Sequence, residues 1–334
     1  MAPALMTTDM DASLRELNAT NYSAIVPAPR SFADLVAAPK SHHLLDLDLN
    51  VFSSEAEAAE HATATAAGAR SGLSVFTCNV DHLMMVRKNP EFRSAYERAD
   101  VVTIDGAPLA LLSRWTGTTD AARVTGVALT EALVELAAVK GLKLALIGGA
   151  PGRGAAAARN LAERHPDLPH IFVDSPLMGF KLGDDEDDRL VKSLQGFRPD
   201  IVIVCLGAPK QELWIDRHRN DLPGSVLVGA GATIDFLSGA QTRAPRIFQR
   251  TGTEALYRLA TDFRRLWRRY LLRDAVFLAI FVAIVFGYIA SKTRHVQHAD
   301  SHTGDWTAGV REDGVNRCGA CRKRGRPNST SLTI

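Results

Sequence analysis

Cysteine is scarce in this chain of 334 residues, with only Cys78, Cys205, Cys318 and Cys321. So few, so widely spaced, exclude the disulfide framework of a small secreted domain and point to a cytosolic body. Cys78 and Cys205 close apolar runs, where a reduced cysteine acts as a small hydrophobe. Cys318 and Cys321 form a lone C-x-x-C in a basic tail. A structural zinc needs four ligands, and no second pair lies at suitable spacing, so no metal is expected. The N-terminus lacks the sustained apolar stretch of a secretory signal. Residues 1–42 are rich in Ala, Pro, Ser and Thr and read as a disordered leader. An excess of one charge is missing too: 39 Lys and Arg against 37 Asp and Glu leave +2, which gives no argument for nucleic acid as a partner.

What is present is a core. The chain is 46% hydrophobic and 23% charged, enough apolar residue to bury a sizeable interior. Between 43 and 242, short β-branched runs alternate with helical patterns. LLDLDLNVF (44–52) reads as a strand or strand pair, and 53–72 as a helix opened by Ser and closed by Gly. LSVFTCNV (73–80) is a strand, 81–99 helical, and ADVVTIDG (99–106) a strand again. Helix 124–141, strand and Gly-rich loop 142–154, strand 171–176, a longer strand 198–212, and strand, loop and helix start at 225–239 complete the series. Such alternation predicts an α/β fold, a Rossmann-like parallel sheet with helices on both faces.

Beyond 242 the character changes. Residues 243–274 are basic and aromatic, an amphipathic appendage. The apolar run 275–290 is shorter than the ~20 residues that comfortably span a bilayer, yet it is fenced by Arg and Lys and reads as a membrane segment. Residues 291–334 read as a disordered basic tail.

Several strand ends carry polar or glycine-rich sequence: TCNVDH (77–82), Asp105-Gly106, IGGAPGRG (147–154), GAPKQE (207–212) and GAGATIDF (229–236). Open α/β sheets bind ligands just beyond the carboxyl ends of their strands. Each element also has an ordinary explanation. Asp-Gly is a common turn pair, Asn79 suits a helix cap, and His82 suits packing. IGGAPGRG approaches a dinucleotide fingerprint without matching it. With Asp174 some twenty residues on, it leaves an NAD(P)-dependent oxidoreductase open. The run DDEDD (184–188) reads as a solvated acidic loop.

Taken in order, TCNVDHL, ADVVTIDG, ARVTG, LALIGGAPG, RPDIVIVCLGAPKQE and VLVGAGATIDFLSG resemble the WecG/TagA/CpsF glycosyltransferases over roughly residues 45–270. That resemblance implies an inverting, metal-independent enzyme without a cofactor. It would move a sugar from a UDP-sugar to a polyprenyl-diphosphate-linked glycan for surface polysaccharide synthesis. It places Asp105 and Thr77 in the reaction centre, Asp105 as the base. Asn79, Arg123, Gly148, Gly149 and Gln211 would contact substrate, Gln211 by reading sugar hydroxyls or an N-acetyl group. Asp235 would help hold the nucleotide, and Arg258, Arg265 and Arg268 the diphosphates. The implied location is the cytoplasmic face of the inner membrane, with membrane lipids as partners through 243–290 and room for a homo-oligomer. A membrane-anchored nucleotide-sugar-binding protein without turnover is the remaining alternative.

Overall fold

The computed structural model describes residues 39–44, 47–116, 122–177, 179–242 and 245. The leader up to residue 38, the appendage arginines Arg258, Arg265 and Arg268, the apolar run 275–290, and Cys318 and Cys321 lie outside them. Among the described residues no helix is long and apolar enough to cross a membrane.

The chain enters as an antiparallel hairpin, β1 (Lys40–Leu44) and β2 (Leu47–Val51), so 44–52 is the second half of a strand pair. Helix α1 (Glu55–Ala66) starts on the Ser54 cap, whose hydroxyl accepts from Glu57 N, and leads to β3 (Leu73–Cys78). The helical stretch 81–99 is two helices, α2 (Val80–Lys88) and α3 (Pro90–Glu97). Pro90 brings no N–H and disfavours helix at Asn89, so the chain breaks there and Asn89 caps α3. Then follow β4 (Val101–Ile104), α4 (Ala107–Trp115) and α5 (Gly126–Lys140). The Gly-rich loop lies between β5 (Leu144–Gly148) and α6 (Arg153–Arg164). Strand β6 (Phe172–Asp174), α7 (Asp185–Phe197), β7 (Ile201–Cys205), α8 (Lys210–His218), β8 (Val226–Gly229) and α9 (Thr233–Leu237) complete the order.

The six strands lie in the order β4-β3-β8-β7-β5-β6, all pairings parallel. Every residue of β3, β4, β5, β7 and β8 is buried, as strands covered on both faces must be. The edge at β4 is not left bare: Asn50 of the hairpin accepts from Val102 N at 2.7 Å. Acids at the amino ends of strands brace the sheet. Asp100 accepts from Ser74 N and Oγ and pairs with Arg219, and Asp200 accepts from Lys143 N.

Two expectations change. The run 198–212 holds a strand of only five residues, and its PKQE portion already opens α8, because Gly207 and Pro209 end the extended chain. The acidic run 184–188 is not a solvated loop. Asp184 caps α7 and the acids fill its first turn, where the helix dipole favours negative charge. Asp187 among them is fully buried.

Candidate active site

All six strands of the sheet being parallel, their carboxyl ends share one edge, and Asn79, Asp105, Gly148 and Gly149 stand at the ends of its strands. The register pairs Cys78 with Ile104, so the next residues, Asn79 and Asp105, leave the sheet side by side. Asp105 N donates to Cys78 O at 2.7 Å and extends the pairing by one step. Its carboxylate is half-buried. Gly106 then turns the chain into α4 at φ +97°, a conformation that a side chain strains. Among the described residues a Cβ built there would meet only Pro108 Cδ, at 3.9 Å, so the space beside the acid is open.

Thr77 is 4% exposed and donates its hydroxyl hydrogen to Gly229 O at 3.1 Å. A hydroxyl has one hydrogen, so toward a substrate Thr77 can only accept. Asn79 takes the ordinary role: its Oδ1 accepts from His82 N at 3.1 Å and caps α2. Arg123 is half-buried on the segment 122–125. Ala122 N, donating to Phe52 O, and Val124 O, accepting from Thr103 Oγ1, pin that segment.

On the other half of the edge, the chain leaves β5 through Gly148 (φ +99°) and Gly149 (φ +79°). A Cβ on Gly148 would lie 2.4 Å from the Cys205 carbonyl oxygen, and one on Gly149 2.8 Å from Ile234 Cγ2, so only glycine fits either place. Asp235 of α9 reaches Arg153, the first residue of α6, at 3.7 Å. Gln211 is 1% exposed, and its Oε1 accepts from Gly207 N at 3.2 Å and Gly231 N at 3.1 Å. Its oxygen is spent on the loops leaving β7 and β8, which gives Gln211 a framework task. Among the described residues no three His, Cys, Asp or Glu side chains gather as a metal-holding group.

A buried polar group lies behind these strand ends. Gln211 Nε2 donates to Glu212 Oε1 at 2.8 Å, and His82 Nδ1 meets Tyr96 Oη at 2.8 Å and lies 3.9 Å from Glu212 Oε1. Glu212 is fully buried, which pushes its carboxyl up to about 7 from an ordinary 4.5. Burial likewise raises the Cys78 thiol and Tyr96 phenol, with Asp105 and Glu212 adding to both shifts. The folded chain keeps a proton on Glu212 that the unfolded chain gives up near 4.5. This contribution to stability is therefore complete below pH 4.5 and is lost as pH rises through about 7. Thermal unfolding at pH 6 and pH 8.5 tests it. The wild type should lose about 1 kcal/mol relative to Glu212→Gln, which cannot titrate.

The model of the glycosyl transferase WecG/TagA/CpsF family matches residues 42–289, well over half of the chain. The chain belongs to that family. It is therefore a glycosyltransferase. Among curated relatives, an N-acetylglucosaminyldiphosphoundecaprenol N-acetyl-β-D-mannosaminyltransferase of Staphylococcus aureus strain MRSA252 is 30% identical over 204 residues, covering 57% of this chain and 76% of the relative. The protein of that name from strain NCTC 8325 / PS 47 is 29% identical over the same shares.

For a WecG/TagA/CpsF glycosyltransferase, the oxidoreductase reading of IGGAPGRG falls away, and the geometry explains why the loop misled. The acid that ends β6, Asp174, is held bidentately by Arg189 at 2.9 and 3.0 Å instead of standing ready for a ribose. Three residues that sequence reasoning passed over belong to the framework. Glu212 stood within the quoted GAPKQE, and an acid directly after a strand-end glutamine was the available signal. Arg153 was hidden in the Gly-rich loop, and Asp187 in a charge run whose burial no local pattern announces.

Proposed function

We propose that this enzyme transfers N-acetylmannosamine, or a closely related hexose or uronic acid, from a UDP-sugar to a polyprenyl-diphosphate-linked glycan. The transfer inverts the anomeric centre and needs no metal. The observation that carries this reading is Asp105, presented by the end of β4 level with Asn79 on the strand that holds Thr77, with open space where Gly106 lacks a side chain. The reaction named for the staphylococcal relatives supports the choice of sugar and lipid-linked acceptor.

The acceptor hydroxyl gives its proton to the Asp105 carboxylate as its oxygen attacks the anomeric carbon. The bond from that carbon to the diphosphate oxygen breaks, and UDP leaves from the opposite face. Thr77, its own hydrogen committed to Gly229 O, accepts from a sugar hydroxyl and orients it. Arg123 offsets charge on the departing diphosphate, joined by Arg258, Arg265 and Arg268. The lipid-linked acceptor cannot leave the bilayer. The basic 243–274 and apolar 275–290 stretches suit an enzyme that works at the cytoplasmic face of the membrane.

The test is UDP release by detergent-solubilised full-length protein, with a panel of UDP-sugars and a polyprenyl-diphosphate N-acetylglucosamine acceptor. Release with UDP-N-acetylmannosamine that requires the acceptor is the expected result. UDP binding without release for any donor would favour a binding protein.

A further inference from the structure

Helix α8 begins at Lys210, and its first turn joins three elements through one pair of side chains. Gln211 Oε1 takes hydrogen bonds from Gly207 N and Gly231 N, so it ties the loop after β7 to the loop after β8. Its amide is aimed by Glu212, whose Oε1 accepts from Gln211 Nε2 at 2.8 Å. Strand β8 makes room for both. A Cβ on Gly229 would lie 3.2 Å from Gln211 Nε2 and 3.5 Å from Glu212 Oε1.

Glu212 is fully buried, and its second oxygen, Oε2, has no hydrogen-bond partner among the described residues. An ionised carboxylate left in that state would be costly, because a buried charge needs a partner and every lone pair needs a donor. The described groups near it are an imidazole, a thiol and a second carboxylate. His82 of α2 stands 3.9 Å from Oε1 with its Nδ1 engaged by Tyr96 of α3. Cys78 of β3 contributes a thiol that burial keeps protonated, and Asp105, after β4, brings negative charge to the same neighbourhood.

We propose that Glu212 is a positioning residue for sugar transfer: as a neutral carboxylic acid it fixes the Gln211 amide, and through it the two glycine loops that border the donor side of the cleft. Neutrality matters twice. It leaves Gln211 with a stationary acceptor, and it leaves Asp105 without a second negative charge behind it. Ionisation would draw water or a counter-charge toward Oε2, disturb the first turn of α8 and loosen both loops. The inference rests on the proposed function, with these loops read as the donor side because the one after β8 leads into α9, which carries Asp235, the residue expected to help hold the nucleotide.

Titration of full-length protein with UDP by calorimetry between pH 7 and pH 9 tests it, beside Glu212→Gln and Glu212→Ala. UDP's own ionisation is common to all three proteins. Wild-type affinity should fall about tenfold across that range, while Glu212→Gln, which keeps an oxygen for Gln211 and cannot ionise, should stay flat. Glu212→Ala should bind about tenfold more weakly throughout, or fail to fold, in which case Glu212→Gln decides alone. Parallel pH profiles for wild type and Glu212→Gln would overturn the proposal, as would full affinity in Glu212→Ala. No UDP binding by the wild type at any pH would overturn the donor-side reading itself, and this inference with it.

Discussion

Asp105→Asn lowers sugar transfer by about 10³-fold, within the usual range for loss of a general base. The expectation follows from what the substitution leaves alone. The backbone N–H that Asp105 donates to Cys78 O is kept by asparagine. Asparagine also matches aspartate in size, so the half-buried site is neither emptied nor overfilled. What disappears is the capacity to take a proton from the acceptor hydroxyl. Binding of UDP should therefore change little, because the proposed donor side lies at Gly148, Gly149 and the loops after β7 and β8, away from this carboxylate. Acceptor-dependent UDP release and UDP calorimetry on the same preparation separate the two effects. A variant whose turnover stays within threefold of wild type would return Asp105 to the rank of a turn residue. Lost turnover together with lost UDP binding would mean instead that Asp105 serves the donor.

The strands were legible because each is a short β-branched run ended by Gly, Asn or Asp, and burial on both faces erases any alternation that might mislead. Asp105 was legible for a related reason: an acid at the end of such a run leaves the sheet at its ligand-binding edge. Residues whose partners are distant in sequence escaped. Gln211 has a polar side chain on a strand-end loop, so a substrate contact was the natural reading. Its partners Gly207 and Gly231 are backbone donors from two different loops, which no spacing reveals. Thr77 is a milder case. Its strand was legible, but the direction of its hydrogen bond depends on β8 lying beside β3, a neighbour 152 residues away along the chain. The break at Asn89-Pro90 was the opposite kind of miss, since its signal was local and the apolar periodicity around it outweighed the proline.

The buried acid of α7 carries the largest expected effect on stability. Asp187 Oδ1 accepts from the Trp214 indole N–H at 2.7 Å, and Oδ2 from Gly183 N at 2.6 Å, with His218 Nε2 at 3.1 Å. His218 Nδ1 in turn meets Asp221 at 2.9 Å. Trp214 and His218 are both on α8, the helix whose first turn carries Gln211 and Glu212, so this carboxylate anchors the far end of the helix that frames the cleft. Asp187→Ala strands these groups in a dry interior, and loss of one partner of such a network costs about 3–5 kcal/mol. For a domain of this size that is a fall of about 10 °C in the unfolding midpoint. Asp187→Asn discriminates between lost volume and lost acceptors. An amide has one oxygen, while the Trp214 indole and the Gly183 backbone N–H are both obligate donors on opposite oxygens. Either orientation of the amide therefore sets N–H against N–H. The asparagine variant should be nearly as unstable as the alanine one in urea unfolding. An asparagine variant within about 1 kcal/mol of wild type would mean that α8 is held by the packing of Trp214 and not by the charge beneath it.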